Sequence, residues 1–342
     1  VKKYLPYIAV ILVFAGAAAW FVKTQSPESQ NQREGSFAVK EGITKIVLDD
    51  TEKRHLELTL QNGIWKVNNK HQVREELIQQ LLEAITRVSS LTPVPTNAHD
   101  NVIKELMSKH VKVQVFTNGA EPEKTYLVGG PTVDSRGTYM LLQMQDGNMA
   151  ARPHITYIPG YYGYLTPRFD MDAENWRSRL VFNETLNDIE QLSVQYPYEE
   201  VNSFTITRAG TDSFTLSPGN ENFRITQAYE QKFVKQYLSF YSAVHIEAFD
   251  NSYSAKDSMM ETKPYCQFNL TKTDGSKKMV RLYRMPLNKR SKAVVDLAGK
   301  EINYDVDRFY ASINDEDFAI VQYYVFGKLL RSYKDFYFKP KE

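Results

Sequence analysis

Twice along this chain the same order of patterns occurs, and the repetition limits the architectures open to it. In the first run, Ile43, Ile46 and Leu48 precede Leu56, Leu58 and Leu60, which alternate with His55, Glu57 and Thr59. A period of two sends successive side chains to opposite faces, so these segments read as strands with one face buried. Asn62-Gly63 marks a tight hairpin into Ile64, Trp65, Lys66 and Val67, which completes a three-strand meander. The spacing of Val73, Leu77, Ile78, Leu81, Leu82, Ile85 and Val88 then predicts a helix with one apolar stripe, ended by Pro93 and Pro95. A shorter helix follows, with Asp100 near its start and Val102, Ile103, Leu106 and Met107 on its buried side. Strand signals resume at Val111, Val113 and Val115, at 125–128, at 138–144 and at 155–158, with Asn118-Gly119 and Asp146-Gly147 as turns.

The second run repeats this order. Residues 189–194, 203–207 and 214–216 read as strands, and 223–225 take the place held by Trp65 in the first run. A helical stripe follows through Tyr229, Phe233, Val234, Tyr237, Leu238, Tyr241, Val244 and His245. Residues 266–270 and 279–283 then form a hairpin around Asp274-Gly275, and 309–313 pair with 318–326. An offset of roughly 145 to 170 residues between corresponding elements is too long for a solenoid and suits an internal duplication. The 342 residues are enough for two domains, and the 22 tyrosines and 18 phenylalanines favour sheet. The expectation is an α+β fold: an N-terminal transmembrane helix, then two similar modules of antiparallel sheet with packed helices, 37–182 and 183–342.

Residues 5–22 carry no charge and follow Lys2 and Lys3. As a helix they would cover roughly 27 Å, enough to cross a thin bilayer once. Residues 1–23 are therefore expected to anchor the chain in the lipid bilayer of the inner (cytoplasmic) membrane. The lysines would stay cytoplasmic and the folded body would sit on the periplasmic side. Ala17, Ala18 and Ala19 offer a cleavage site as the competing reading, while Trp20, Phe21 and Val22 continue the apolar run and favour a retained anchor. Residues 24–36 are polar and aperiodic and read as a flexible tether.

Charge and motif content narrow the chemistry. Lys plus Arg (42) nearly cancels Asp plus Glu (41), so no broad field exists to hold nucleic acid. The single cysteine, Cys266, lies in an alternating run and reads as a buried hydrophobe. His55, His71, His99, His110, His154 and His245 form no metal-ligand pattern. Gly129-Gly130-Pro131 lacks the Lys-Ser/Thr of a phosphate loop, and Ser135 sits in a turn without a nucleophile elbow. The acids at 170–174 and 315–317 read as solvated loop charge. No catalytic, cofactor-binding or metal-binding residue is assigned, no cofactor is expected, and the chain reads as a binding protein and not an enzyme.

Between the two runs lies 154–179, which bunches tyrosine, tryptophan and arginine, the residue types that dominate binding hot spots. Tyr161, Tyr162, Tyr164, Arg168, Trp176, Arg177 and Arg179 are the candidate partner-binding residues. The same residues could instead fill an interface between the two halves. Pro159-Gly160 and Thr166-Pro167 give the segment a fixed, irregular path.

A family resemblance runs through Phe37-Ala38-Val39, Gly63-Ile64-Trp65-Lys66-Val67-Asn68, Val128-Gly129-Gly130 and Gly137-Thr138-Tyr139-Met140. It continues through Ile158-Pro159-Gly160, Leu165-Thr166-Pro167-Arg168-Phe169 and Trp176-Arg177. In these short motifs, in this order across 36–179, the chain resembles a bacterial membrane-anchored family classed as a domain of unknown function. Relatives of that family are auxiliary components of gliding-motility type ABC transport systems. The resemblance implies an envelope protein with a single anchor and supplies no catalytic residues, and the missing phosphate loop separates this chain from the ATPase itself. The expected function is an inner-membrane-anchored periplasmic interaction or scaffold protein, an accessory subunit of an envelope transport, export or motility complex. Its partners would be other envelope membrane proteins, including subunits like those of ABC transporters. Two alternatives stay open: an envelope hydrolase or transferase acting on glycan or peptide, and a solute-binding module feeding a transporter.

Overall fold

The computed structural model describes residues 13, 14, 16, 33–223, 225–292, 294, 295 and 299–337. The chain divides into two compact units whose boundary falls between Ser178 and Arg179. On one side the Ser178 amide donates to Gln72 O at 2.7 Å, and on the other Arg179 O accepts from the Ile246 amide at 2.9 Å.

In the first unit β1 (Lys45–Asp50), β2 (His55–Gln61), β3 (Ile64–Val67) and β4 (His71–Gln72) form a meander. Asn62 and Gly63 turn the β2–β3 hairpin at φ of 51° and 80°, the left-handed pair that an Asn-Gly turn supplies with little strain. Helix α1 (Glu75–Arg87) follows, with acids in its first turn and Arg87 in its last, a distribution that complements the helix dipole. Then come β5 (Ser89–Pro93), α2 (Thr96–Ser108), β6 (Val111–Phe116), β7 (Lys124–Pro131), β8 (Thr138–Gln143) and β9 (His154–Tyr157). A short helix, α3 (Ala173–Trp176), ends the unit. The strands make one sheet in the order β4-β3-β2-β1-β6-β7-β8-β9-β5. Ile78, Leu81 and Ile85 of α1 are buried in a core with Ile46, Leu48, Leu58, Val113 and Val115. Helix α2 approaches β7 so closely that a Cβ on Gly129 would lie 2.6 Å from Leu106 Cδ2.

The second unit begins with β10 (Leu180–Phe182), which pairs with β14 (Val244–His245). Strands β11 (Ile189–Gln195), β12 (Phe204–Gly210) and β13 (Ser213–Pro218) form its meander. Helix α4 (Gln231–Ser239), β15 (Ala248–Phe249) and α5 (Lys256–Met260) follow. The unit is completed by β16 (Cys266–Lys272), β17 (Lys277–Pro286), β18 (Tyr304–Ile313), β19 (Asp317–Gln322) and α6 (Tyr323–Phe326). The main sheet runs β13-β12-β11-β16-β17-β18-β19-β15. In each unit, therefore, a meander is extended from its first strand, and a strand that follows the first long helix, β5 or β15, is added at the far edge, while β14 pairs apart with β10.

The expected α+β class is corrected. Strand accounts for 37% and helix for 24%, so the molecule is mostly β, built on large antiparallel sheets. The reason lies in pairing: β1 bonds to both β2 and β6, and β11 to both β12 and β16. Segments before and after each helix thus fuse into one sheet, and the helices are connections laid on it. The expected opening on a transmembrane helix falls largely outside the described residues. Among the described residues no helix is long and apolar enough to cross a membrane. The expected anchor, 5–22, lies outside the described residues except for Val13, Phe14 and Gly16, as do 24–32 of the expected tether. At the tether's end Glu34 is buried and accepts from the Ala151 amide at 3.3 Å, and Phe37 is buried in the first core. Two smaller expectations also give way: Phe223 and Ile225 lie in no strand, and 323–326 leave the β18–β19 pairing as α6.

Candidate functional site

Tyr161, Tyr162 and Tyr164 lie on the segment that leaves β9, between two buried residues, Ile158 and Leu165. At the first end, the Tyr161 amide closes a turn on Ile158 O at 3.0 Å, and Arg87 at the end of α1 donates to Pro159 O at 3.1 Å. At the second end, the Leu165 amide donates to Thr138 Oγ1 at 2.6 Å, and Thr166 Oγ1 donates to Gly129 O at 2.7 Å. With both ends tied to α1, β7 and β8, the middle has a restricted path. The three rings are 40%, 90% and 37% exposed in chain order.

Arg168 acts as the buttress of this loop. Its Nη1 donates to Gln80 O at 3.0 Å and to Glu83 Oε2 at 2.8 Å, both on α1, and its guanidinium lies 4.5 Å from the Tyr161 ring centroid. The Arg168 hydrogen bond, opposed by partial burial, holds the Glu83 carboxyl below its ordinary value. Tyr161 also folds back over Gly163, which has φ of 136°, and a Cβ there would meet Tyr161 Oη at 3.2 Å. Glycine at 163 satisfies both the backbone and the ring.

Trp176 and Arg177 are not part of this surface. Trp176 is 2% exposed and its Nε1 donates to Asp170 O at 2.8 Å. Arg177 is buried against Glu174, with an Nη1–Oε2 distance of 2.8 Å, and bridges to Val73. Arg179 belongs to the second unit. The acids nearby are also engaged: Asp170 accepts from the Asp172 amide and Asn175 Nδ2, and Asp172 caps α3 through the Glu174 amide. Residues that sequence reasoning missed, Glu83 and Arg87, announced themselves only as the polar side of a helical stripe.

The second unit carries a concave site that no sequence pattern indicated. A cleft of about 660 Å³ lies between α5 and the β16–β17 ladder, lined by Tyr198, Tyr253, Met259, Tyr265, Tyr283 and Arg284 among others. Tyr265 is stacked on Phe309 at 5.5 Å, and Arg284 lies over the rings of both Tyr265 and Tyr304, 3.9 and 4.1 Å from their centroids. Cys266, next in sequence to Tyr265, is fully buried, and burial pushes its thiol well above the ordinary range. Among the described residues no three His, Cys, Asp or Glu side chains are grouped to hold a metal ion. Compared with protein-family models, curated proteins and solved structures, the chain finds no match.

Proposed function

We propose that this chain is an interaction protein of the bacterial envelope, an accessory subunit of a transport, export or motility complex. In this reading residues 5–22 hold it at the inner membrane with the body on the periplasmic side, and Tyr161, Tyr162 and Tyr164 meet a partner protein. One observation carries the reading: three exposed rings are presented on a loop pinned at both ends. Pinning matters because ordering a free loop on binding costs free energy that a pre-formed surface avoids. Tyrosine suits the role, giving a large rigid contact with a polar tip for few torsions.

The experiment is crosslinking in cells from a photoreactive phenylalanine derivative placed at Tyr162, followed by mild-detergent purification and mass spectrometry. The expected result is a reproducible set of envelope membrane proteins, transporter subunits among them. Tyr162→Ala should deplete that set in an untargeted crosslinking control while leaving the melting temperature unchanged, since the ring is 90% exposed. Recovery of the chain alone from both experiments refutes the reading.

A further inference from the structure

The tyrosine-lined cleft of the second unit is distinct from the Tyr161–Tyr164 loop and shares no residue with it. Its lining is mostly aromatic and apolar, and its charged members are Lys263 and Arg284; no acid is among the described residues that line it. Arg284 is the telling residue. Its guanidinium lies over Tyr265 and Tyr304, with Phe309 at 5.3 Å, so its faces are occupied by rings. Among the described residues the guanidinium makes no hydrogen bond and no ion pair, so the N–H edge of the plane is left for something else. Stacking fixes the plane without consuming its donors, and a fixed planar fork matches the two oxygens of a carboxylate.

Around that fork the walls favour a flat apolar body. Tyr253 stacks on Tyr310 at 4.7 Å, while Tyr283 Oη donates to Met260 O at 3.4 Å. Met259 adds an adaptable thioether to the lining. Across the mouth Tyr198, itself 70% exposed, reaches Lys263 O through its hydroxyl at 3.4 Å. The volume lies within the roughly 300–1,000 Å³ usual for small-molecule sites. We propose that this cleft binds a small aromatic carboxylate, its ring among the tyrosines and Met259 and its oxygens on the Arg284 fork.

The test uses the full chain with 3-phenylpropionate as the probe, read by calorimetry and by the methyl resonance of Met259 in methyl-labelled protein. The acid should bind saturably and move the Met259 signal. The neutral 3-phenylpropionamide should bind at least about tenfold more weakly, the difference expected when a charge-assisted pair is lost. Arg284→Gln should erase the preference of acid over amide. The acid–amide comparison on the unaltered protein keeps the proposal testable if that variant folds poorly. Equal binding of acid and amide, or no saturation by about 1 mM, overturns the proposal. So does an unmoved Met259 signal, or binding of phenyl phosphate in place of the carboxylate.

Discussion

Apart from β4, the main sheets of the two units share one strand order, yet the units fill their cores with different chemistry. In the first, Ile46, Leu48, Leu56, Leu58, Leu81, Val113 and Val115 dominate. In the second, Phe182, Phe204, Tyr237, Tyr241, Phe268, Phe309, Phe326 and Phe336 do. Its rings meet edge to face, with Phe204 5.6 Å from Tyr237 and 5.0 Å from Phe336, and Phe182 5.0 Å from Tyr241. Aliphatic side chains need only volume, whereas buried tyrosines also bring hydroxyls that must be paired. The second core pairs them. Tyr237 Oη donates to Leu329 O at 2.8 Å and lies 2.9 Å from Tyr241 Oη, and Tyr196 Oη donates to Arg331 O at 2.8 Å. These bonds fix residues 327–337 against α4 and the sheet, so in this unit the core also positions the last part of the described chain. One topology thus accepts two packing solutions, one indifferent to direction and one dependent on it.

The largest perturbation should come from emptying the aromatic core. Phe268→Ala should cost about 3–5 kcal/mol, measured by urea unfolding with labelling of Cys266 as the probe of the second unit. A loss comparable with an exposed substitution would show that the ring packing contributes little. Next in size is a pair of hydroxyl deletions with opposite expected signs. Tyr237→Phe removes the bond to Leu329 O, which keeps the Arg331 amide, and strips the Tyr241 hydroxyl of its partner, so it should cost about 1–3 kcal/mol. Tyr126, buried in the first core, has a hydroxyl with no partner among the described residues, so Tyr126→Phe should be neutral or stabilising by up to about 1 kcal/mol. Equal losses in both variants would erase the distinction between the cores.

The smallest effect is a pH dependence in the first unit. His154 is buried beside Ser90, Glu34 and the Phe37 ring, and burial lowers its pKa despite the nearby Glu34 carboxylate. The unfolded chain therefore takes up this proton at a higher pH than the folded one. Stability from this group is full above the ordinary imidazole value of about 6.5 and falls as the pH drops through it. Melting followed by Trp176 fluorescence should show a lower midpoint at acidic pH, and His154→Gln should flatten that slope. An unchanged slope would mean that other groups set the acid sensitivity.

What could be read from the sequence was local. The Asn62-Gly63 hairpin was legible because only a few residue types accept two successive left-handed conformations. The stripe of Ile78, Leu81 and Ile85 was legible because burial follows the helical period. The edge strands were not: β5 leaves Leu91 64% exposed, β15 has two residues, and both are defined by distant partners in β9 and β19. For the same reason the sequence suggests an α+β class, whereas long-range pairing fuses the strands of each unit into a large antiparallel sheet. At the site, residue types found the tyrosine cluster but not its facing. Trp176 and Arg177 share the chemistry of the exposed rings, yet the bond from Ser178 to Gln72 draws them alongside 72–74 into the core. The cleft around Arg284 was invisible because Tyr198, Tyr253, Tyr265 and Arg284 are far apart in sequence.

The far-edge placement of β5 and β15 also sets an order of events in time. Strand β5 leaves α1 early, but its partner β9 is made only after α2 and three further strands; β15 waits likewise for β19. Until those partners exist, an emerging chain holds a stranded edge whose amides and carbonyls have nothing to bond. Pairing of this long sequence separation is slow and leaves such edges open to neighbouring chains. Each unit is thus sealed by its last strands, and a nascent chain stalled before 154–157 or 317–322 would be a substrate for chaperones.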